Sequence, residues 1–175
     1  MYEFEMKFPC EISKIKANLQ FLGAKYLRTE EATDYYFQHP NRNFSKTDEA
    51  LRMRKTENYT ELTYKGPKLT TKSKSRLELT AQLMDDKIID ILKELGFNQT
   101  GLVGKKREMW ELDDVTISLD EVENLGEFVE LEIILDSKDE IAQIELKLCK
   151  MSKRIGIKQA QIRTSYLQLL QSKRS

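Results

Sequence analysis

Tyr2-Glu3-Phe4-Glu5-Met6-Lys7-Phe8 decides the fold, because apolar and charged residues alternate along it without a break. Successive side chains of an extended strand point to opposite faces, so Tyr2, Phe4, Met6 and Phe8 share one face and Glu3, Glu5 and Lys7 the other. The same phase returns downstream. Leu51 and Met53 oppose Arg52 and Arg54; Leu62 and Tyr64 oppose Glu61, Thr63 and Lys65; Leu77 and Leu79 oppose Arg76, Glu78 and Thr80. Between Val103 and Leu112, Lys105 and Arg107 lie opposite Lys106, Glu108 and Trp110. Val115, Ile117 and Leu119 then oppose Thr116, Ser118 and Asp120, and Val129, Leu131 and Ile133 oppose Phe128, Glu130 and Glu132.

An ordinary antiparallel sheet would turn such charges to water. Two features favour turning them inward. The charged faces carry both signs at close spacing, with acids in the first and last strands and basic residues in the middle ones. The chain also contains amphipathic helices, which need an apolar sheet surface to pack on. If the helices take the apolar face and the sheet closes, the charged face becomes the lining of a barrel. The expected fold is therefore α+β, an eight-stranded antiparallel β tunnel with covering helices.

An internal repeat supports this organisation. An offset of 73 places Glu5 on Glu78, Ile15 on Ile88, Leu19 on Leu92, Leu22-Gly23 on Leu95-Gly96 and Phe37 on Trp110. Ile12, Ile15, Leu19 and Leu22 share one helical face, as do Ile88, Ile91, Leu92 and Leu95, with Gly23 and Gly96 placed as C-terminal stops. Residues 1–175 then form a single domain with repeat halves about 1–66 and 74–136 and C-terminal helices within 137–172. Ser137 and Glu140 make a capping box for a helix through about Lys153, with Gly156 beyond it. A last helix carries Tyr166, Leu167, Leu169 and Leu170. Lys65 to Arg76 is basic and free of acids, and reads as the connector between the halves.

The composition excludes several function classes. Leu, Ile, Val and Phe number 46 of 175 residues, too many for a disordered chain. The 29 basic residues balance the 29 acidic ones, which argues against a nucleic-acid or anionic-membrane partner. No apolar run reaches the length of a membrane span, and alternation begins at Tyr2 with no signal-peptide core, so a cytoplasmic location is expected. Cys10 and Cys149 lie far apart without zinc-ligand spacing and read as unpaired packing thiols.

Seven basic residues (Lys7, Arg52, Arg54, Lys65, Arg76, Lys105, Arg107) and six acids (Glu3, Glu5, Glu78, Asp120, Glu130, Glu132) would share the lumen. Buried charges must be paired or bind a metal. Carboxylates two apart on strands can converge on Mg²⁺ or Mn²⁺, while guanidinium and ammonium groups bind phosphate oxygens. Together they suit a metal polyphosphate; mutual neutralisation alone is the alternative, and a costly way to fill a core.

At these residues the sequence resembles the CYTH family, the class IV adenylyl cyclases and thiamine triphosphatases among the triphosphate tunnel metalloenzymes. The resemblance is carried by Glu3-Phe4-Glu5-Met6-Lys7, Asp34-Tyr35-Tyr36-Phe37, Leu51-Arg52-Met53-Arg54, Leu62-Thr63-Tyr64-Lys65-Gly66-Pro67 and Arg76-Leu77-Glu78. It continues through Val103 to Arg107, Leu119-Asp120 and Leu125-Gly126-Glu127-Phe128-Val129-Glu130-Leu131-Glu132. Tyr36 to Arg54 and Ser165-Tyr166-Leu167 look most like the microbial CyaB-like branch. The resemblance implies that the seven basic residues hold a triphosphate and that Glu3, Glu5, Asp120, Glu130 and Glu132 hold Mg²⁺ or Mn²⁺. It makes Glu5, Asp120 and Glu132 catalytic and leaves Glu78 as tunnel support. The activity implied is cyclisation of ATP to cyclic AMP and pyrophosphate, with hydrolysis of thiamine triphosphate or tripolyphosphate as the alternative and a silent polyphosphate-binding module as the third reading. The protein would be a monomer or a homodimer. His39, in a loop, reads as surface, Trp110, Tyr35, Tyr36 and Phe37 as packing, and Ser165 and Tyr166 as the cap and docking of the last helix.

Overall fold

The computed structural model describes residues 2–69, 75–136 and 141–174. Eight strands form it: β1 (Tyr2–Pro9), β2 (Lys25–Gln38), β3 (Ala50–Lys55), β4 (Thr60–Lys65), β5 (Arg76–Leu83), β6 (Asn98–Leu112), β7 (Val115–Val122) and β8 (Gly126–Leu135). They close into an antiparallel ring in the order β1-β5-β4-β3-β2-β6-β7-β8. Exchanging β1–β4 with β5–β8 maps this order onto itself, as a two-fold repeat requires. Closure is thin at one seam, where β1 meets β5 only through Tyr2↔Leu77 and Glu3↔Arg76.

The helices are α1 (Ile12–Phe21), α2 (Phe44–Thr47), α3 (Ile88–Glu94), α4 (Ile141–Arg154) and α5 (Tyr166–Arg174). Gly23 at φ 73° and Gly96 at φ 84° end α1 and α3 in the left-handed region that glycine adopts without strain. The short α2 has no periodic signal; Asn43 caps it by accepting from Lys46 N. The capping pair Ser137 and Glu140, and Lys72 and Lys74 of the connector, lie outside the described residues.

The apolar face of the sheet is the outer one. Phe4, Met6, Ile117, Leu119, Val129 and Leu131 pack under Ile15 and Leu19 of α1 and Ile144, Leu148 and Met151 of α4. On the other side, Leu92 of α3 covers Phe37 and Met53. Each such side chain removed from water contributes about 1.5–3 kcal/mol, enough to hold the charged faces turned away from solvent. α5 has a different place. Tyr166 and Leu170 pack on Val103, Val122 and Phe128, which share the inner face with Asp34, Lys105 and Asp120, so this helix fills one end of the ring. Cys10 is half-buried and Cys149 exposed, both unpaired. No helix among the described residues is long and apolar enough to cross a membrane.

Candidate active site in the tunnel

The ring encloses a cavity of about 640 Å³. All seven basic residues singled out in the sequence line it, as do Glu3, Glu5, Glu78, Glu130 and Glu132. Asp120 is the exception. It is fully buried behind the wall, where Arg107 Nε and Nη2 bind its two oxygens at 2.6 Å each and the Tyr166 hydroxyl donates at 2.9 Å. To ligate a metal directly it would have to surrender Arg107, so its place in the structure is that of a support for the cations.

Asp34 plays the matching part on β2. Its carboxylate takes both prongs of Arg54, at 2.7 and 2.9 Å, and lies 3.7 Å from Lys105 Nζ, which is also 3.7 Å from Asp120. Burial works to raise the Asp34 carboxyl, but Arg54, Arg52 and Lys105 outweigh it and hold it well below the ordinary range. Burial pulls Lys105 the other way, down to about 8, and the neighbouring Arg107 and Arg54 add to this against Asp120 and Asp34. Arg107 reaches on to Glu130, whose other oxygen is 3.9 Å from Lys7 Nζ.

One cation is held differently. Arg52 bonds Glu61 and Thr63 through Nη2, but its Nε is a buried donor with no hydrogen-bond partner among the described residues. A buried unsatisfied N–H is costly, and an acceptor entering the cavity would relieve it.

The acids gather along β1, β8 and β5. Glu5 stands directly across from Glu132, and Lys7 across from Glu130. Lys65 bridges Glu3 and Glu78. Burial pushes Glu132 up to about 8, with Glu3 and Glu5 adding to it against Arg107 and Lys65. Burial likewise pushes Glu78 up to about 9, with Glu3 adding. Glu3 itself is held well below the usual range: burial opposes this, but Lys65 and a hydrogen bond shared with Glu78 prevail. At this end of the tunnel burial and the neighbouring Glu3 thus both disfavour charge on Glu132 and Glu78. Among the described residues no three acids already close on one point. The donor set nevertheless fits a hard divalent cation, since it offers only oxygen and a like-charge pair across two strands is unfavourable without a cation or proton between them.

Several lining residues escaped the sequence reading. Glu30 accepts from Arg28 Nε and the Tyr59 hydroxyl, at 2.9 and 3.1 Å. Tyr36 faces the cavity rather than serving only as packing. Tyr166 does more than dock α5, for Lys7 Nζ sits 4.0 Å from its ring centre and Lys105 Nζ 5.4 Å. The period-two pattern Glu30, Ala32, Asp34, Tyr36 on β2 was the available signal for Glu30 and Tyr36, as for Asp34. Nothing local marks Tyr166, because it reaches the site from a helix. His39 accepts from Asn41 N and packs on Phe97 outside the tunnel, and Trp110 is core.

The CYTH domain model matches residues 1–166. The chain belongs to the CYTH family. It is 36% identical over 172 residues to a Methanocaldococcus jannaschii protein named "Putative adenylate cyclase MJ0240", covering 97% of this chain and 98% of that one. It is 25% identical over 167 residues to "Adenylate cyclase CyaB" of Aeromonas hydrophila, covering 92% of this chain and 85% of that one. Among solved structures, the PH1819 protein of Pyrococcus horikoshii OT3 superposes with a TM-score of 0.90 at 41% identity, over 98% of this chain and 99% of the other. The HpAC1 protein of Hippeastrum, described as an adenylyl cyclase candidate with a dominant triphosphatase activity, shares the fold at 16% identity and a TM-score of 0.70, over 98% and 95% of the two chains. For this CYTH chain, the ring of inward charges is the family's tunnel fold.

Proposed function

We propose that the protein binds a nucleoside triphosphate in the tunnel with Mg²⁺ or Mn²⁺ and converts ATP to cyclic AMP and pyrophosphate. The observation that carries the reading is the row of inward cations on β1, β3, β4, β5 and β6, with the Arg52 Nε donor unsatisfied among the described residues, around a cavity of about 640 Å³. Polyanions are what such a lining binds. Arg52, Arg76, Lys65 and Lys7 meet the phosphate chain, while Arg54 and Arg107 are held straight by Asp34 and Asp120.

Glu3, Glu5, Glu130 and Glu132 would hold the cation. When bound, the metal supplies neutralisation of phosphoryl charge. In cyclisation the ribose 3′ oxygen attacks the α-phosphorus, the bond from that phosphorus to the oxygen bridging to the β-phosphate breaks, and pyrophosphate leaves with the electron pair. The hydroxyl proton has an acceptor in the Glu5 and Glu132 carboxylate pair.

The adenylate-cyclase names of the 36% and 25% identical relatives favour cyclisation. Hydrolysis of thiamine triphosphate or tripolyphosphate is the second reading, favoured by the triphosphatase described for the Hippeastrum protein of the same fold. Sliding the chain by one or two phosphates along the cations exchanges the two outcomes. A silent polyphosphate binder is the third reading, and the retained acids disfavour it. Turnover of ATP, thiamine triphosphate and tripolyphosphate, each with Mg²⁺ and with Mn²⁺, tests this. ATP should be the preferred substrate, and turnover of tripolyphosphate alone, or of none of the three, overturns the reading.

A further inference from the structure

Helix α5 reaches the tunnel through its first residue, and the chain is fixed on both sides of it. Ser165 and Gln168 cap the helix reciprocally: Ser165 N and Oγ donate to Gln168 Oε1 at 3.0 and 3.1 Å, and Gln168 N donates to Ser165 Oγ at 3.2 Å. Upstream, Ile162 N donates to the Lys7 carbonyl at 2.8 Å, a bridge that ties the segment before α5 to β1. Tyr166 is thereby set against the inner wall, buried, with its ring centre 5.1 Å from that of Phe128.

From that place it meets the cations in two ways. Lys7 Nζ lies over its ring at 4.0 Å from the centre and Lys105 Nζ at 5.4 Å, within the range at which the negative face of an aromatic ring attracts an ammonium group. Its hydroxyl donates at 2.9 Å to Asp120 Oδ2, the oxygen that also takes Arg107 Nη2 at 2.6 Å and lies 3.7 Å from Lys105 Nζ. Burial, and after it Glu130 and Asp120, push the phenol well above its ordinary range, so it remains a donor and does not serve as a base. A carboxylate in its position would fix Lys7 by neutralising it. A ring restrains the ammonium and leaves its charge and its N–H groups for a phosphate oxygen.

We propose that Tyr166 is a positioning residue for the triphosphate site: its ring holds Lys7 of β1 in place, and its hydroxyl, through Asp120, holds Arg107 and Lys105 of β6. β7 and β8 stand between those two strands in the ring, so no ladder hydrogen bond sets the cations of β1 against those of β6. One side chain from α5 does so, and aims both groups at a common phosphate chain. This rests on the tunnel's binding a triphosphate, and is independent of which phosphorus is attacked.

Isothermal titration of the full chain with tripolyphosphate in Mg²⁺ reads this without requiring turnover. Tyr166→Phe removes only the bond to Asp120 and should weaken binding about threefold, whereas Tyr166→Leu also removes the ring face and should weaken it at least about tenfold. In a Lys7→Met background, which lacks the ammonium, Tyr166→Phe and Tyr166→Leu should bind alike. Leu170→Ala loosens the same helix from Val103, Val122 and Phe128 without touching a cation; it should lower the melting temperature but leave the affinity within about twofold. Should Tyr166→Leu fail to fold, phenylalanines of increasing ring fluorination at position 166 keep the shape while weakening the negative face, and affinity should fall stepwise with Lys7 present but not in Lys7→Met. Wild-type affinity in Tyr166→Leu, a loss in Leu170→Ala as large as in Tyr166→Leu, or a fluorine series indifferent to Lys7 overturns the role of Tyr166 and leaves triphosphate binding standing. A wild type that binds neither tripolyphosphate nor ATP overturns both.

Discussion

Asp34 is 1% exposed and faces three cations, so its charge is structural before it is anything else. Removing one member of a buried pair costs about 3–5 kcal/mol, because the partner is left charged and dry. Asp34→Asn should therefore destabilise by that amount at pH 7. The carboxyl is held below its unfolded value of about 3.9, so its contribution is complete above about pH 5 and fades as pH falls below 4. The stability gap between wild type and Asp34→Asn, followed by thermal melts, should accordingly narrow in acid; a gap that widened would contradict the pairing. Glu132 is the opposite case. Burial beside Glu3 and Glu5 makes its charge unfavourable unless a cation is present. Glu132→Gln should lower metal-dependent turnover at least about tenfold while leaving the melting temperature in metal-free buffer unchanged or higher. Unchanged activity at limiting Mn²⁺ would remove Glu132 from the cation site. Glu132 was legible from alternation alone, since β8 repeats its phase cleanly. Asp34 was quoted with its strand yet not placed in the lumen, because the tyrosines beside it suggest packing more strongly than a charged face.

Strand β3 carries two arginines on one face with different duties. Arg54 has both prongs on Asp34, whereas Arg52 retains a buried Nε donor without a partner among the described residues. Lysine keeps charge but not the forked geometry. Arg52→Lys should weaken triphosphate affinity about tenfold or more, the worth of one charged hydrogen bond, with little change in stability. Arg54→Lys should lower the melting temperature first. Equal effects on affinity and stability in the two variants would contradict the division. Helix α4 is a purely packing element by comparison, and Leu148, fully buried at its centre, should cost about 2–5 kcal/mol of unfolding free energy in denaturant melts when changed to Ala. The strands and α1 were legible because apolar periodicity reports a covered outer face, and α4 was read from its expected cap and from Gly156; the face expected for α3 holds only in part, since Leu92 is buried and Ile88 half-buried but Ile91 and Leu95 are exposed. The role of α5 was not legible, because its apolar residues look the same whether a helix lies on a barrel or fills its end.

Over the whole molecule, closure of the ring turns a row of strand charges into a chemical site. Each charged face is unremarkable as an isolated strand; seven of them lining one cavity bring together the cations proposed to hold phosphates and the acids proposed to hold a metal. An eight-stranded antiparallel tunnel followed from alternation, the repeat and the family likeness, while the strand order and the thin β1–β5 seam did not, since strand pairing and overhang leave no mark in alternation. Asp120 shows the same limit: phase puts it on the inner face, and only the assembled wall shows Arg107 and Tyr166 closing over it. Cyclisation requires the α-phosphorus to lie next to the ribose 3′ oxygen, and hydrolysis of the chain's end requires the γ-phosphorus to lie next to a water. Incubating the purified protein with ATP and Mn²⁺ and separating the products distinguishes these directly. Cyclic AMP and pyrophosphate in equal amounts are expected; ADP with orthophosphate, or no consumption of ATP, would contradict the proposed reaction.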